Sequence, residues 1–571
     1  MEQALANGGI FVQLEAMVSI AAGPSQLIAA LIDEIGLETL INEAVEWHPS
    51  YCKVSPGMHV KAMIINILCS RMPLYRVSEF YHELDVEMLF GSTYTAADFS
   101  DDALARTLDR LYDAQSWKVY SQLALSVLRH IGLPLEVVHS DTTSFSLHGD
   151  YLDQEDLNIT YGYNKDGRPD LKQIVIGLGV TPQRLPIIGK IEDGNTDDKT
   201  WNTTFINKLR EVLAEEEWNQ LTYVADSALA TMDNVLLMKK EGLSFITRLP
   251  DTFSLSSELK EEASWRDQWQ DVQVTNEEEG RSRYQLQSFE RELYGQPLRF
   301  VVVHSSHLEA KQQETLQRQM NKEREKMAKA LRTLSATQYG CEHDAQQAIA
   351  AFRKQHKWKF HEAGLTSEPE TYTLPRTGRG RPKEGEKPET AVRWRIVASD
   401  IGPQEEALLA LTTKQGMFVL MTSHKESPAW TSEKILQTYK GQAAAETRFR
   451  LLKDPSVLDA IYLKQPSRIE ALGTVFIMAL LLYGLLEWRV RENLKQEKEP
   501  ILLPGKRKSF TPTAEMLLAM LKSIQVIVAT MGEQRIRAVS AHVSDNVKRI
   551  VRLAGYDIAI YTSQAVEKSG R

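Results

Sequence analysis

Tyr439, Gln442, Glu446 and Lys453 stand at offsets 0, 3, 7 and 14 along the chain. At about 100° per residue these offsets put the four side chains within about 60° of one another on an α-helix. Such a helix presents one carboxylate flanked by a phenol, an amide and an ammonium. Its opposite face carries Ala444, Ala445, Leu451 and Leu452. A carboxylate can hold a hard divalent cation, and Tyr and Lys can hold phosphate oxygens. An ordinary amphipathic helix with a solvated polar stripe has the same spacing, so this segment alone leaves both readings open.

Two upstream acids narrow the choice. Leu135–Asp141 and Leu221–Asp226 read as short buried strands that each end on an Asp. Ligand sites in α/β sheets gather where strands end. A single acid there is more often a cap or turn former. Asp141, Asp226 and Glu446 together make a three-acid set for two Mg²⁺ ions, with Mn²⁺ able to substitute, because an oxygen-only ligand set favours these over Zn²⁺.

At this point the chain resembles the DDE transposases of bacterial insertion sequences, within the group marked by a Tyr-Arg-Glu-Lys signature. The signature intervals of 2, 3 and 6 residues all match, with Gln442 in place of the Arg. Asp141-Thr-Thr, Val224-Ala-Asp226-Ser-Ala, Phe418-Val-Leu-Met-Thr422-Ser, Pro466-Ser-Arg468-Ile-Glu470 and Ser100-Asp-Asp102-Ala-Leu-Ala-Arg106 also fit. The likeness is weakest over residues 255–390. It implies a ribonuclease-H-like α/β core in which Asp141, Asp226 and Glu446 are catalytic and bind the metals. It further implies cleavage of double-stranded DNA at transposon ends and strand transfer into a target. Tyr439, Gln442 and Lys453 would contact DNA. Arg450, on the Tyr439 face, is a candidate for the charge that Gln442 lacks; Arg448 points to the opposite side and is the weaker candidate. A homodimer follows from the need to join two ends. The other readings are a nuclease without strand transfer and a transposase-derived DNA-binding protein without catalysis.

Composition agrees with a soluble, multidomain protein: 571 residues, 43% hydrophobic and 25% charged. Cys52, Cys69 and Cys341 form no CxxC pair, which points to a reducing cytoplasm, with the protein on the nucleoid when DNA-bound. The net charge of −9 is unevenly spread: residues 431–571 carry +8 and the remainder −17. Local positive charge, not the average, is what DNA requires. No basic leader is expected near Glu2 and Glu15. Ala471–Leu486 is uncharged over 16 residues, short of the roughly 20 that span a bilayer, and reads as a helix buried behind the active-site sheet. No Walker-type loop calls for a nucleotide cofactor.

The elements order themselves accordingly. Residues 1–130 read as a helical domain, implied to bind transposon ends. Residues 131–250 read as the first part of the core, in the order βββαβαβ. Asp226 and Glu446 are separated by 220 residues, too many for one connection. An inserted, partly β domain is therefore expected at 251–412, with strands at Ser288–Val303 and Ala391–Ser399 and a charged helix at Leu308–Leu334. Residues 413–495 return to the core, and 496–571 read as a helical C-terminal region. Thr377-Gly-Arg379-Gly-Arg381-Pro382-Lys383 holds the core of an AT-hook, where Arg379 and Arg381 suit a narrow minor groove or, more simply, DNA phosphates. His139, two residues before Asp141, shares its strand face.

Overall fold

Short β-branched runs alternate with amphipathic ones between Val137 and Leu249, and in the computed structural model they form a sheet flanked by helices. The structure describes residues 16–149, 151, 157–165, 167–276, 280–375, 387–452, 463–531 and 534–563. They divide into two compact units, Met1–Thr247 with Gln437–Arg571, and Arg248–Leu436.

The first unit begins with strand β1 (Ala16–Ile20) and helices α1 (Ser25–Glu34), α2 (Leu37–Ala44), α3 (Pro56–Cys69), α4 (Val77–His82), α5 (Val86–Phe90), α6 (Asp101–Asp113) and α7 (Ser116–His130). Local chemistry sets their starts. Ser55 caps α3 by accepting from Met58 N at 3.1 Å, with Pro56 in the first turn. The core strands follow: β2 (Val137–Leu147), β3 (Lys172–Val180) and β4 (Pro186–Glu192). Then come α8 (Asp198–Val212), α9 (Glu215–Gln220), β5 (Thr222–Val224), α10 (Met232–Lys240) and β6 (Ser244–Leu249). These five strands lie in the order β4-β3-β2-β5-β6. β2, β3 and β4 are antiparallel neighbours, whereas β2, β5 and β6 run parallel. This is a mixed α/β architecture, with every strand expected between 135 and 248 present.

The second unit contains α11 (Ser254–Arg266), β7 (Gln270–Asn276), β8 (Gly280–Leu293), β9 (Gln296–Ser305), α12 (Ser306–Ser335), β10 (Gln338–Tyr339) and α13 (Glu342–Gln355). It continues with β11 (His361–Glu362), β12 (Leu365–Thr373), β13 (Thr390–Ala398), β14 (Gly402–Pro403), α14 (Glu405–Thr412) and β15 (Met417–Thr422). One expectation changes here. The run 288–303, read as one strand, is a hairpin that turns at Tyr294 and Gly295, both with positive φ. Phe418–Thr422 is a wholly buried strand that pairs antiparallel with β9.

The chain crosses back along α15 (Ser432–Lys440) to α16 (Ala443–Leu452) and α17 (Pro466–Leu494). α17 is the one helix, among the described residues, long and apolar enough to cross a membrane, and almost all of it is buried inside the protein. It packs on β4, α3, α6 and α7. Gly189 of β4 admits it: a Cβ there would come within 2.7 Å of Ile477 Cδ1. The region 496–571, expected to be helical, is mixed. It holds β16 (Ile501–Leu503), β17 (Arg507–Ser509), α18 (Ala514–Leu521), β18 (Val526–Met531), β19 (Gln534–Val539) and α19 (Asp545–Leu553). β18 pairs with both β1 and β19, so residues 16–20, 526–531 and 534–539 share one sheet. The Val-Ile-Val-Ala-Thr composition of β18 is the β-branched signal that accounts for the difference.

Candidate functional site: a half-buried carboxylate pair

Asp141 and Asp226 come together through strand register. β2 pairs with β5 in parallel as Val137 with Thr222, Val138 with Tyr223 and His139 with Val224. Two residues further, Asp141 is level with Asp226, and β5 has ended. Neighbouring strands lie about 4.8 Å apart. β2 itself does not end on the acid, as the sequence suggested, but continues through Asp141 to Leu147 against β3. The β-branched and aromatic residues after Asp141 sustain it.

Backbone N–H groups hold one oxygen of each carboxylate. Thr142 N donates to Asp141 Oδ1 at 2.8 Å, and Ala228 N donates to Asp226 Oδ1 at 3.0 Å. Asp226 thereby caps a short 3₁₀ turn, Ser227–Leu229, while its own carbonyl accepts from the Thr247 hydroxyl at 2.5 Å. Burial pushes the Asp141 carboxyl up to about 6; Lys165 and the Thr142 N–H oppose the rise, and Asp226 and Asp198 add to it. Burial likewise raises Asp226, opposed by its bond from Ala228 and reinforced by Asp198. The pair is short of positive charge.

Asp198 and Lys165 belong to this cluster and were not found by sequence. Lys165 Nζ lies 3.9 Å from Asp141 Oδ1 and 3.6 Å from Asp198 Oδ1. It also donates to Thr142 O at 2.8 Å and to Thr142 Oγ1 at 3.1 Å. The Thr142 hydroxyl in turn donates to Asp198 Oδ1. Asp197-Asp198 at a helix start reads as capping alone, but Asp197 takes that role by accepting from Thr200 N at 2.7 Å, which leaves Asp198 to face β2. Lys165 sits in the Asn-Lys-Asp-Gly turn at 164–167, whose composition signals a loop and nothing more.

The segment carrying Glu446 is not one helix. α15 ends at Lys440 and α16 starts at Ala443, so Tyr439 and Glu446 stand on different helices and the common stripe inferred from spacing is interrupted. The joint is tightened by i→i+3 bonds, Gln442 N to Tyr439 O at 3.1 Å and Ala444 N to Gly441 O at 2.9 Å. Gly441 presses on the strand that carries Asp141: a Cβ there would lie 2.8 Å from His139 Nε2. His139 is 1% exposed, its Nδ1 has no partner among the described residues, and burial lowers its pKa to about 4, so the ring is neutral at pH 7. It is a packed spacer under the joint.

α16 packs against β2 and β3. Ala444, Ala445 and Phe449 are buried, and Glu446 is exposed. Among the described residues, no three His, Cys, Asp or Glu side chains are gathered closely enough to hold a metal. The structure thus joins Asp141 with Asp226 and does not gather Glu446 with them. Arg448, expected among the DNA contacts, is instead 1% exposed. Its Nε donates to Arg184 O at 2.7 Å, and its guanidinium lies 3.4 Å from Glu487 and over the Tyr483 ring. The opposite-side orientation inferred from its offset leads into the core, where α17 supplies the partner acid. Tyr439 and Gln442 are half-buried. The Arg450 side chain, Lys453, Arg379 and Arg381 lie outside the described residues.

A domain of unknown function, DUF4277, matches residues 23–125, which span α1 to most of α7. No curated protein matches the chain. Among solved structures, the chain is similar to a piggyBac transposase in a synaptic complex with hairpin DNA, studied by cryo-EM. The likeness covers 92% of this chain and 81% of that one, at 9% identity and a TM-score of 0.37. A match at that level carries no argument about activity.

Proposed function

We propose that the chain is a DDE transposase with a ribonuclease-H-like core, which cleaves duplex DNA at transposon ends and joins them to target DNA as a homodimer. The observation that carries the reading is the half-buried Asp141–Asp226 pair on adjacent parallel strands, in the middle of the run β4-β3-β2-β5-β6. The strand order, three antiparallel followed by two parallel, and the Tyr439-to-Lys453 spacing support it. The pair fits Mg²⁺ or Mn²⁺ by its chemistry: two oxygen-donor carboxylates, each pushed up by burial, with Lys165 as the ammonium beside them. Asp141 and Asp226 would hold the metal and Glu446 would complete the set. Bound there, divalent cations supply charge stabilisation for phosphoryl transfer.

The chain's own residues do the rest. Thr142 and Ala228 N–H groups fix the carboxylate orientation through one oxygen of each acid. Tyr439, Gln442 and Lys453 would hold DNA phosphates. The test is cleavage of a plasmid carrying the gene with its flanking DNA, with Mg²⁺ and with EDTA. Metal-dependent nicking at inverted repeats beside the gene supports the reading. DNA binding with no cleavage under any metal supports instead a transposase-derived binding protein.

A further inference from the structure

The segment 501–510 follows α17 and forms a small hairpin in the same unit as the carboxylate pair. β16 and β17 pair antiparallel as Ile501 with Ser509, Leu502 with Lys508 and Leu503 with Arg507. Ile501 and Leu503 are buried and root the hairpin in the core. Asn546, in the first turn of α19, holds its edge by donating to Leu502 O at 2.8 Å. The outward side is unusual for a soluble surface. Leu502 is 43% exposed and Phe510 48% exposed. Lys508 is the cross-strand partner of Leu502, so the two share a face, and Phe510 stands exposed just past the end of β17.

The tip adds charge. Lys506, Arg507 and Lys508 are consecutive and exposed, and among the described residues none is paired with a carboxylate; Arg507 reaches only the Met516 thioether, at 3.2 Å. Gly505 and Lys506 both take the left-handed conformation, at φ +73° and +61°. Glycine suits that backbone without strain, and a lysine there carries a conformational cost. The chain therefore sets a cation at a position where its side chain is a burden on the fold.

We propose that the 501–510 hairpin is a DNA-binding ribbon: Lys506, Arg507 and Lys508 meet phosphates while Leu502 and Phe510 contact sugars or base edges. A two-stranded ribbon has the width of a major groove, and unpaired cations interleaved with exposed apolar side chains complement a duplex. Two apolar side chains are too few to anchor a membrane. The inference rests on the proposed function for its choice of polyanion, and it assigns a role to a region that the signature residues leave unexplained.

The experiment measures binding of the full chain to a mixed-sequence duplex in EDTA across a salt series, which separates it from metal and cleavage. Replacing Lys506, Arg507 and Lys508 together by Ala should weaken binding about tenfold or more and lower the salt slope by about 0.9 for each phosphate no longer neutralised. Phe510→Ala should weaken binding at an unchanged slope. Lys506→Gly is the decisive variant: it should leave the thermal midpoint equal or higher while lowering the salt slope, a combination that damage to the fold does not produce. If the wild type binds and the triple variant matches it in affinity and slope, the hairpin assignment is overturned while the proposed function stands. If the wild type binds no DNA, both fall. Loss of binding to phosphatidylserine vesicles with DNA binding intact would replace DNA by a membrane surface and overturn the proposal.

Discussion

The two parts of the candidate site are built in different ways. Asp141 and Asp226 are set by a hydrogen-bonded ladder: once Val137 pairs with Thr222, the position of both acids follows from the strand period. Glu446 hangs on a short helix that a two-residue joint separates from α15 and that a buried charge cluster fixes from behind. Sheet register tolerates little displacement. A helix joined by a tight turn is placed only as well as its joint and its anchor. The carboxylate pair should therefore respond to chemistry, and Glu446 to architecture.

The largest expected effects test the chemistry on both sides. Asp141→Asn, Asp226→Asn and Glu446→Gln should each reduce metal-dependent DNA nicking by about a thousandfold, several kcal/mol of transition-state stabilisation, with DNA binding in EDTA retained. Cleavage at the wild-type rate by Glu446→Gln alone would break the comparison outright and strike Glu446 from the set.

Next in size is the anchor. Arg448→Met removes one of three cations, with Arg184 and Arg491, that lie within 3.6 Å of the buried Glu487. The loss of a buried partner should lower stability by about 3 kcal/mol, read as a drop in denaturation midpoint. An unchanged midpoint would show that α16 is not held from behind. The joint comes third. Gly441→Ala forces a Cβ against His139 and should displace α16, costing about a hundredfold in cleavage. His139→Ala makes room for that Cβ, so the double variant should recover part of the loss; a further drop would rule out the steric link.

The proton balance of the pair gives a smaller effect with a definite sign. The Asp141 carboxyl is raised from 3.8 to about 6 in the fold, so the folded state binds more protons than the unfolded chain in that window. Without metal, its stabilising contribution is complete below about pH 4 and is lost as pH rises through 6. Asp141→Asn should therefore be more stable than wild type above pH 6, by on the order of 2 kcal/mol in EDTA, and the gain should shrink below pH 4. Thermal scans at pH 4 and pH 7 check it; a wild type that gains stability over that interval relative to the variant contradicts the burial argument. Smallest is Gln442→Arg at the half-buried joint. It should be tolerated and should steepen the salt dependence of DNA binding by about one phosphate. Lost cleavage at an unchanged slope would remove position 442 from the DNA-facing set.

The same contrast explains what sequence could show. Strand patterns and two acids at matching depth were legible because β-structure repeats every two residues and register converts that period into position. The helix break at Gly441 was not, since offsets 0, 3, 7 and 14 are compatible with one helix or two, and only the closeness of His139 reveals why the chain turns. Asp198 and Lys165 were hidden because each sits in a segment with a sufficient local explanation, a cap and a turn. Arg448 shows the reverse: its offset gave the side correctly, but the buried Glu487 that it meets is 39 residues away on another helix. The strand at 526–531 carried an ordinary β-branched signal that the neighbouring helical runs obscured.

The sheet that joins β1 to β18 has a consequence for how the molecule is made. Ala16 pairs with Thr530, and Tyr561 donates to the Gly23 carbonyl at 2.9 Å, so contacts near residue 20 wait for more than 500 further residues. At about 5–20 residues per second, a ribosome needs on the order of a minute to supply them. Through that interval β1 is an unpaired edge on a growing polypeptide, and the closing step of folding has a very high sequence separation. Nascent chains should accordingly depend on chaperones more than the finished protein does, and slowing translation late in the message should cost more yield than slowing it early.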